Sequence, residues 1–169
     1  MNIKDIYPKN QSPNYRYKGQ LVDFLNQQGF THGVTLQPNK PVSKDKLFST
    51  LKHLDARVSR HLLGSRFYKK PRLHCIHFLE GQEKLNLHSH SLWRIPEHMT
   101  DRFELLFPSA VHNHGLWRQI IASGTHDQQC LQSPEKASWY VTKDHHRNSE
   151  FERMIISSEF HQTNKLGYW

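Results

Sequence analysis

The sequence is short of cysteine, of acid and of long apolar runs, and each shortage excludes something. Only Cys75 and Cys130 occur, far apart and outside any Cys-x-x-Cys pair. A disulfide framework and a thiolate zinc cluster are therefore not expected, and both thiols are expected to be reduced and buried. No stretch approaches the roughly 20 apolar residues of a membrane span, and Met1–Asn10 has no apolar core like that of a secretory leader. The expectation is a soluble, cytoplasmic protein without membrane contact. No Gly-x-x-x-x-Gly-Lys-Ser/Thr segment is present, so a nucleotide-hydrolysing P-loop is not expected. Internal repeats and low-complexity tracts are lacking too.

What is there is basic and aromatic. In 169 residues Lys and Arg number 23 against 15 Asp and Glu, a net charge of +8, and the pI is about 9.6. That balance favours a polyanionic partner, with nucleic acid first among the candidates. Four Trp, six Tyr and nine Phe supply core volume and surfaces for base stacking. Fourteen His are present, so each has to be argued by position.

Residues 1–20, polar and carrying Pro8, Pro13 and Gly19, read as an N-terminal arm, and 21–169 as a single domain. Leu21–Gln28 is expected to be a short helix stopped by Gly29, followed by a strand over Phe30–Leu36 and a break at Gln37–Pro41. Ser43 can cap a helix whose Leu47, Leu51, Leu54, Val58 and Leu62 fall on one face, with Gly64 as its stop. Lys52, Arg57 and Arg60 lie on the opposite face. Beyond it, Arg66, Tyr68, Lys69, Lys70 and Arg72 interleave cations with aromatic rings and are candidate DNA contacts. Leu73–Glu80 and Lys84–Ile95 read as a hairpin turning near Gly81. Glu97–Phe107 reads as helix, Leu116–Ile121 as helix or strand, and Thr125–Gln132 as strand. Ser133-Pro134-Glu135 has the order of a helix start, a helix expected to run through Trp139, Tyr140 and Lys143. Met154–Ser157 fits more than one state.

The informative segment is Leu87-His88-Ser89-His90-Ser91. Residues two apart on a strand share a face, so His88 and His90 can bind one divalent ion. Glu80, on the partner strand, can add a hard oxygen ligand. Two imidazoles and a carboxylate suit Mg2+ or Mn2+ acting on a phosphodiester, and zinc would tolerate them too. His74 and His77 fall on opposite faces of their strand. His112 and His114 read as surface residues, and His145–His146 as a polar helix end. Tyr140 and Lys143, three apart, are neighbours on a helix face. A Tyr hydroxyl, with a pKa of about 10, needs a nearby ammonium or a polarised phosphate to act as nucleophile.

The order of these elements resembles the HUH endonuclease domain of rolling-circle replication initiators, single-tyrosine type. Phe30–Asn39 resembles the family's first strand motif, Glu80–Ile95 its metal motif, and Pro134–Asp144 its nucleophile helix. The resemblance implies an α+β, ferredoxin-like antiparallel sheet with helices packed on it. It also implies Mg2+ or Mn2+ dependence, a covalent 5′-phosphotyrosine intermediate on single-stranded or hairpin DNA, and a monomer or weak dimer. Asp144 stands four residues after Tyr140, so a two-tyrosine mechanism is not supported. With no P-loop, unwinding is left to a host helicase. A transposase or a phage-interfering nickase fits the same residues. A non-catalytic nucleic-acid-binding module with a structural metal is the alternative from another class.

Overall fold

The computed structural model describes residues 13–81, 86–108, 114–143 and 154–161. Five strands form one antiparallel sheet: β1 (His32–Gln37), β2 (His74–Glu80), β3 (His88–Arg94), β4 (Thr125–Cys130) and β5 (Met154–Ile156), in the order β4-β1-β3-β2-β5. β3 lies between β1 and β2 and is antiparallel to both. β1 and β2 are therefore parallel to each other and joined by a crossover helix. This is the ferredoxin-like α+β arrangement expected from the sequence, with β5 added beside β2.

The crossover helix is α2 (Lys44–Leu63), which forms for reasons legible in the chain. The Ser43 side chain accepts from the Lys46 N–H, Asp45 sits in the first turn, and Gly64 ends the helix at a positive φ of 89°. Its Leu47, Leu51 and Leu54 are wholly buried against the sheet, each contributing roughly 1.5–3 kcal/mol over exposure. The short helices α3 (Thr100–Glu104) and α4 (Leu116–Ile120) lie on the same face, which we call the back, where Phe103 and Trp117 join the α2 leucines, Trp93 and Cys75 in one core.

The front face is covered by α1 (Pro13–Asn26) and α5 (Pro134–Val141), whose Leu21, Leu25 and Val141 pack with Ile76, Phe78 and Leu92. The Lys18 ammonium lies 4.9 Å from the Trp139 ring centroid and ties the two helices together. The helix expected from Leu21 thus begins at Pro13, and residues 13–20 of the expected arm belong to it; residues 1–12 lie outside those described. Pro is tolerated at a first helical position, where its missing N–H is not needed. The end of α5 also differs from expectation. The helix stops at Val141, the Thr142 hydroxyl donates back to Ser138 O at 2.7 Å, and Lys143 sits in the following turn. Of the stretch 116–121, residues 116–120 form a short helix, and 154–156 is an edge strand. Cys75 is buried as expected, whereas Cys130, at the end of edge strand β4, is exposed.

Candidate metal centre and tyrosine site

Strand alternation sorts every residue of β2 and β3 between the two faces. Ser89, Ser91 and Trp93 face the back core, where the Ser89 hydroxyl meets His77 Nδ1 at 3.2 Å and Trp93 Nε1 donates to Ser91. His88 and His90 therefore face the front, and the register sets Glu80 directly across from His88. His74 and His77 fall on opposite faces as expected. His77 is wholly buried at the back beside Trp93 and Phe160, whereas His74 stacks on Phe30 at the front.

Glu80, His88 and His90 each offer a ligand atom within 4.8 Å of the others, and together they can hold a metal ion. The Glu80 Oε2 atom is 3.7 Å from His88 Nε2 and 3.4 Å from His90 Nε2. Each imidazole is fixed through its other nitrogen. His88 Nδ1 lies 2.8 Å from the Asn86 carbonyl, which can only accept, so Nδ1 donates there and Nε2 is turned toward Glu80. His90 Nδ1 lies 2.9 Å from the Thr35 hydroxyl, and Thr35 is the β1 residue paired with His90. Such outer partners orient ligating imidazoles in metal sites. The second carboxylate oxygen, Glu80 Oε1, is buried without a hydrogen-bond partner. Two oriented nitrogens and an unsatisfied hard oxygen fit a divalent cation.

The position of Asn86 is itself set by a glycine. Gly81 leaves β2 at a φ of 81°, and a Cβ there would run into the Asn86 carbonyl, the group that holds His88. Asn86 N donates back to Gly81 O at 3.2 Å and closes the connection.

From α5, Tyr140 brings its ring edge-on to His90, with 5.2 Å between centroids, while staying 53% exposed. The Lys143 ammonium is 2.9 Å from Glu80 Oε2 and 4.3 Å from the Tyr140 ring centroid. Because the helix has ended, Lys143 bends back over Tyr140 rather than following it along a helix face. Burial alone would raise the Glu80 carboxyl, but hydrogen bonding and charge from His90 and Lys143 outweigh it and hold the group below its usual range. Burial would lower Lys143, yet Glu80 and then Tyr140 outweigh it and push the ammonium upward. The site is thus a carboxylate facing three nitrogen groups, with a phenol at its rim.

A cleft of about 850 Å³ opens from His90 and Tyr140 across β1 and β4, with Thr35, Gln129 and Lys136 on its walls. The expected DNA contacts lie elsewhere. Arg66, Tyr68, Lys69, Lys70 and Arg72 precede β2 at the end away from Glu80, and six residues of strand separate the two ends by roughly 20 Å. Arg72 reaches toward buried Asp55 at 4.0 Å and covers the Phe67 ring, and Lys70 donates to Leu63 O. Arg66, Tyr68 and Lys69 are exposed. Thr35, Asn86 and the cleft residues were not singled out from the sequence. Alternation puts Thr35 on a face but does not say which β3 residue it meets. His112, Asp144, His145 and His146 lie outside the described residues. No family model, curated protein or solved structure matches the chain, and no helix among the described residues is long and apolar enough to cross a membrane.

Proposed function

We propose that this chain is a single-strand DNA nickase of the HUH type, with Tyr140 as nucleophile and Glu80, His88 and His90 as ligands for Mg2+ or Mn2+. One observation carries the proposal: the Glu80–His88–His90 group has a phenol packed on one of its imidazoles and an ammonium bridging its carboxylate to that phenol. A structural metal site gains nothing from a half-exposed tyrosine and a charged lysine at its mouth. A phosphodiester transferase needs both.

The cleft beside Tyr140 would receive the single strand, with Lys136 on its wall to meet phosphate. The Tyr140 phenolic oxygen forms a bond to a backbone phosphorus as the bond to the 3′-oxygen breaks. The products are a 5′-phosphotyrosine and a free 3′-hydroxyl. The phenol gives up its proton on attack, and the leaving 3′-oxygen takes one up. Lys143, held charged by Glu80, lowers the cost of the phenolate and of the charge on the phosphoryl oxygens. Thr35 and the Asn86 carbonyl keep the imidazoles aimed. A divalent metal, when bound, supplies Lewis-acid polarisation of the phosphate. The biological role that best suits such a nickase is initiation of rolling-circle replication of a plasmid or phage.

The test is incubation of the protein with a library of single-stranded and hairpin DNAs in Mn2+, followed by denaturing gels. Wild type is expected to give strand cleavage and a covalent protein–DNA adduct, and Tyr140→Phe neither. Absence of any adduct with wild type across the library, or an undiminished adduct with Tyr140→Phe, would refute the proposal.

A further inference from the structure

The charge of this chain is concentrated in one segment. Residues 44–72 hold nine Lys and Arg against two Asp, a net +7 out of the chain's +8. One of the two acids, Asp55, is buried beneath α2 and faces Arg72, so it does not offset the outer surface. The segment comprises α2 and the turn after it, and α2 covers the back of the sheet. The cleft and Tyr140 are on the front.

Within α2 one set of basic and imidazole side chains is ordered. Lys46, His53, Arg57 and Arg60 follow one another at spacings of seven, four and three, His61 stands four after Arg57, and the five form one stripe. The stripe is turned away from the leucines that pack on the sheet, and no acid interrupts it. Lys46, His53, Arg60 and His61 are exposed and Arg57 half-exposed. His53, Arg57, Arg60, His61 and Ser65 line a shallow depression of about 580 Å³. Arg57 is held in place by Gln119 of α4, its Nη2 donating at 2.7 Å. From Lys46 to Arg60 the helix rises about 21 Å, which matches roughly six phosphates at about 3.4 Å of axial rise along one strand.

We propose that this α2 stripe is a second nucleic-acid surface that takes the phosphate backbone of a DNA duplex. The stripe carries no Phe, Tyr or Trp on which unpaired bases could stack, whereas surfaces for single strands interleave such rings with cations. Lys and Arg side chains set along one helix read backbone charge alone, and sequence plays no part. The two faces then divide the work. The back holds the paired arm of a substrate, and the front cleft receives the unpaired strand. The inference extends the nickase proposal without depending on its chemistry.

The experiment measures binding of a fluorescent 20-base-pair DNA by anisotropy across a salt series, with EDTA present so that cleavage plays no part. Wild type is expected to bind with a strong salt dependence and to prefer the duplex over a single strand of equal charge. Lys46→Gln/Arg60→Gln touches no side-chain contact described here. It should bind about tenfold more weakly at low salt, and the log–log salt slope should shrink by about two, near 0.9 for each lost phosphate contact. Arg57→Gln/Arg60→Gln is the second variant, and circular dichroism melting confirms that both are folded. Folded variants that bind duplex as wild type does would overturn the assignment. Equal competition by single-stranded DNA would also overturn it, as would wild-type binding to anionic lipid vesicles but not to duplex. Loss of the Mn2+-dependent adduct with duplex binding intact would sink the nickase proposal and leave this one standing.

Discussion

Thr35 makes one contact that matters to the site, and that contact can be removed without touching the fold. Its hydroxyl is the partner of His90 Nδ1 at 2.9 Å. Replacing it with valine keeps the β-branched shape that suits β1 and removes only the oxygen. Thr35→Val is expected to weaken Mn2+ binding by about 10- to 100-fold, the usual effect of losing an outer partner of a ligating histidine. Isothermal titration would show this, with thermal stability in EDTA little changed. Unaltered affinity would mean that His90 is aimed by something else. Glu80, His88 and His90 were legible as a group because two-residue alternation and a hairpin are local patterns. Tyr140 and Lys143 were legible as neighbours for the wrong reason. The sequence suggested two positions on one helix, whereas the chain leaves the helix at Val141 and folds the ammonium back over the ring. A Thr hydroxyl returning to a carbonyl is a weak signal that competes with many others in a sequence.

Among elements, α2 and β2 carry two buried ionisable groups whose pH effects run in opposite senses. Burial pushes the Asp55 carboxyl of α2 up to about 7, with Arg72 pulling the other way. Between the ordinary carboxylate value and 7 the folded chain holds a proton that the unfolded chain has released, so this group lowers stability as pH rises through that window. Burial pushes His77 of β2 down to about 3. Below its ordinary value the unfolded chain takes up a proton that the folded chain refuses, so His77 lowers stability as pH falls. The two offset each other in mildly acid solution. Asp55→Asn removes the first and leaves the second. The variant is expected to gain on wild type as pH rises from 4.5 to 8, by about 3 kcal/mol over that window. Thermal or urea denaturation at several pH values measures it. Parallel profiles for the two proteins would show that Asp55 is charged throughout. Nothing in the α2 sequence marks Asp55 as inward except its position beside Leu54, because helical periodicity gives a boundary residue to either face. The start of α1 was missed for a related reason. Pro13 and Gly19 look like breakers, and what overrides them is packing against α5, which is far away in sequence.

At the scale of the whole molecule, the sheet order explains what sequence could and could not supply. Each strand other than β5 announces itself locally, but the adjacency of β1 to β3 and to β4 is a long-range fact, and with it come the Thr35–His90 contact and the cleft. The same distinction has a kinetic consequence. All three proposed ligands belong to the β2–β3 hairpin, whereas Thr35 and Tyr140 arrive only when distant segments dock. Hairpins close in microseconds, long before a sheet of this connectivity is complete. A divalent ion can therefore grip the hairpin while the rest of the chain is still unfolded and act as a clamp on the folding nucleus. In stopped-flow refolding, Mn2+ is expected to raise the folding rate of wild type and not of His88→Ala. An ion that only slowed unfolding would show instead that the ligands converge after the barrier. The glycine that ends β2 would then be a hinge of the pathway as well as of the site, since its positive φ and missing Cβ bring the Asn86 carbonyl and the second ligand strand back against the first.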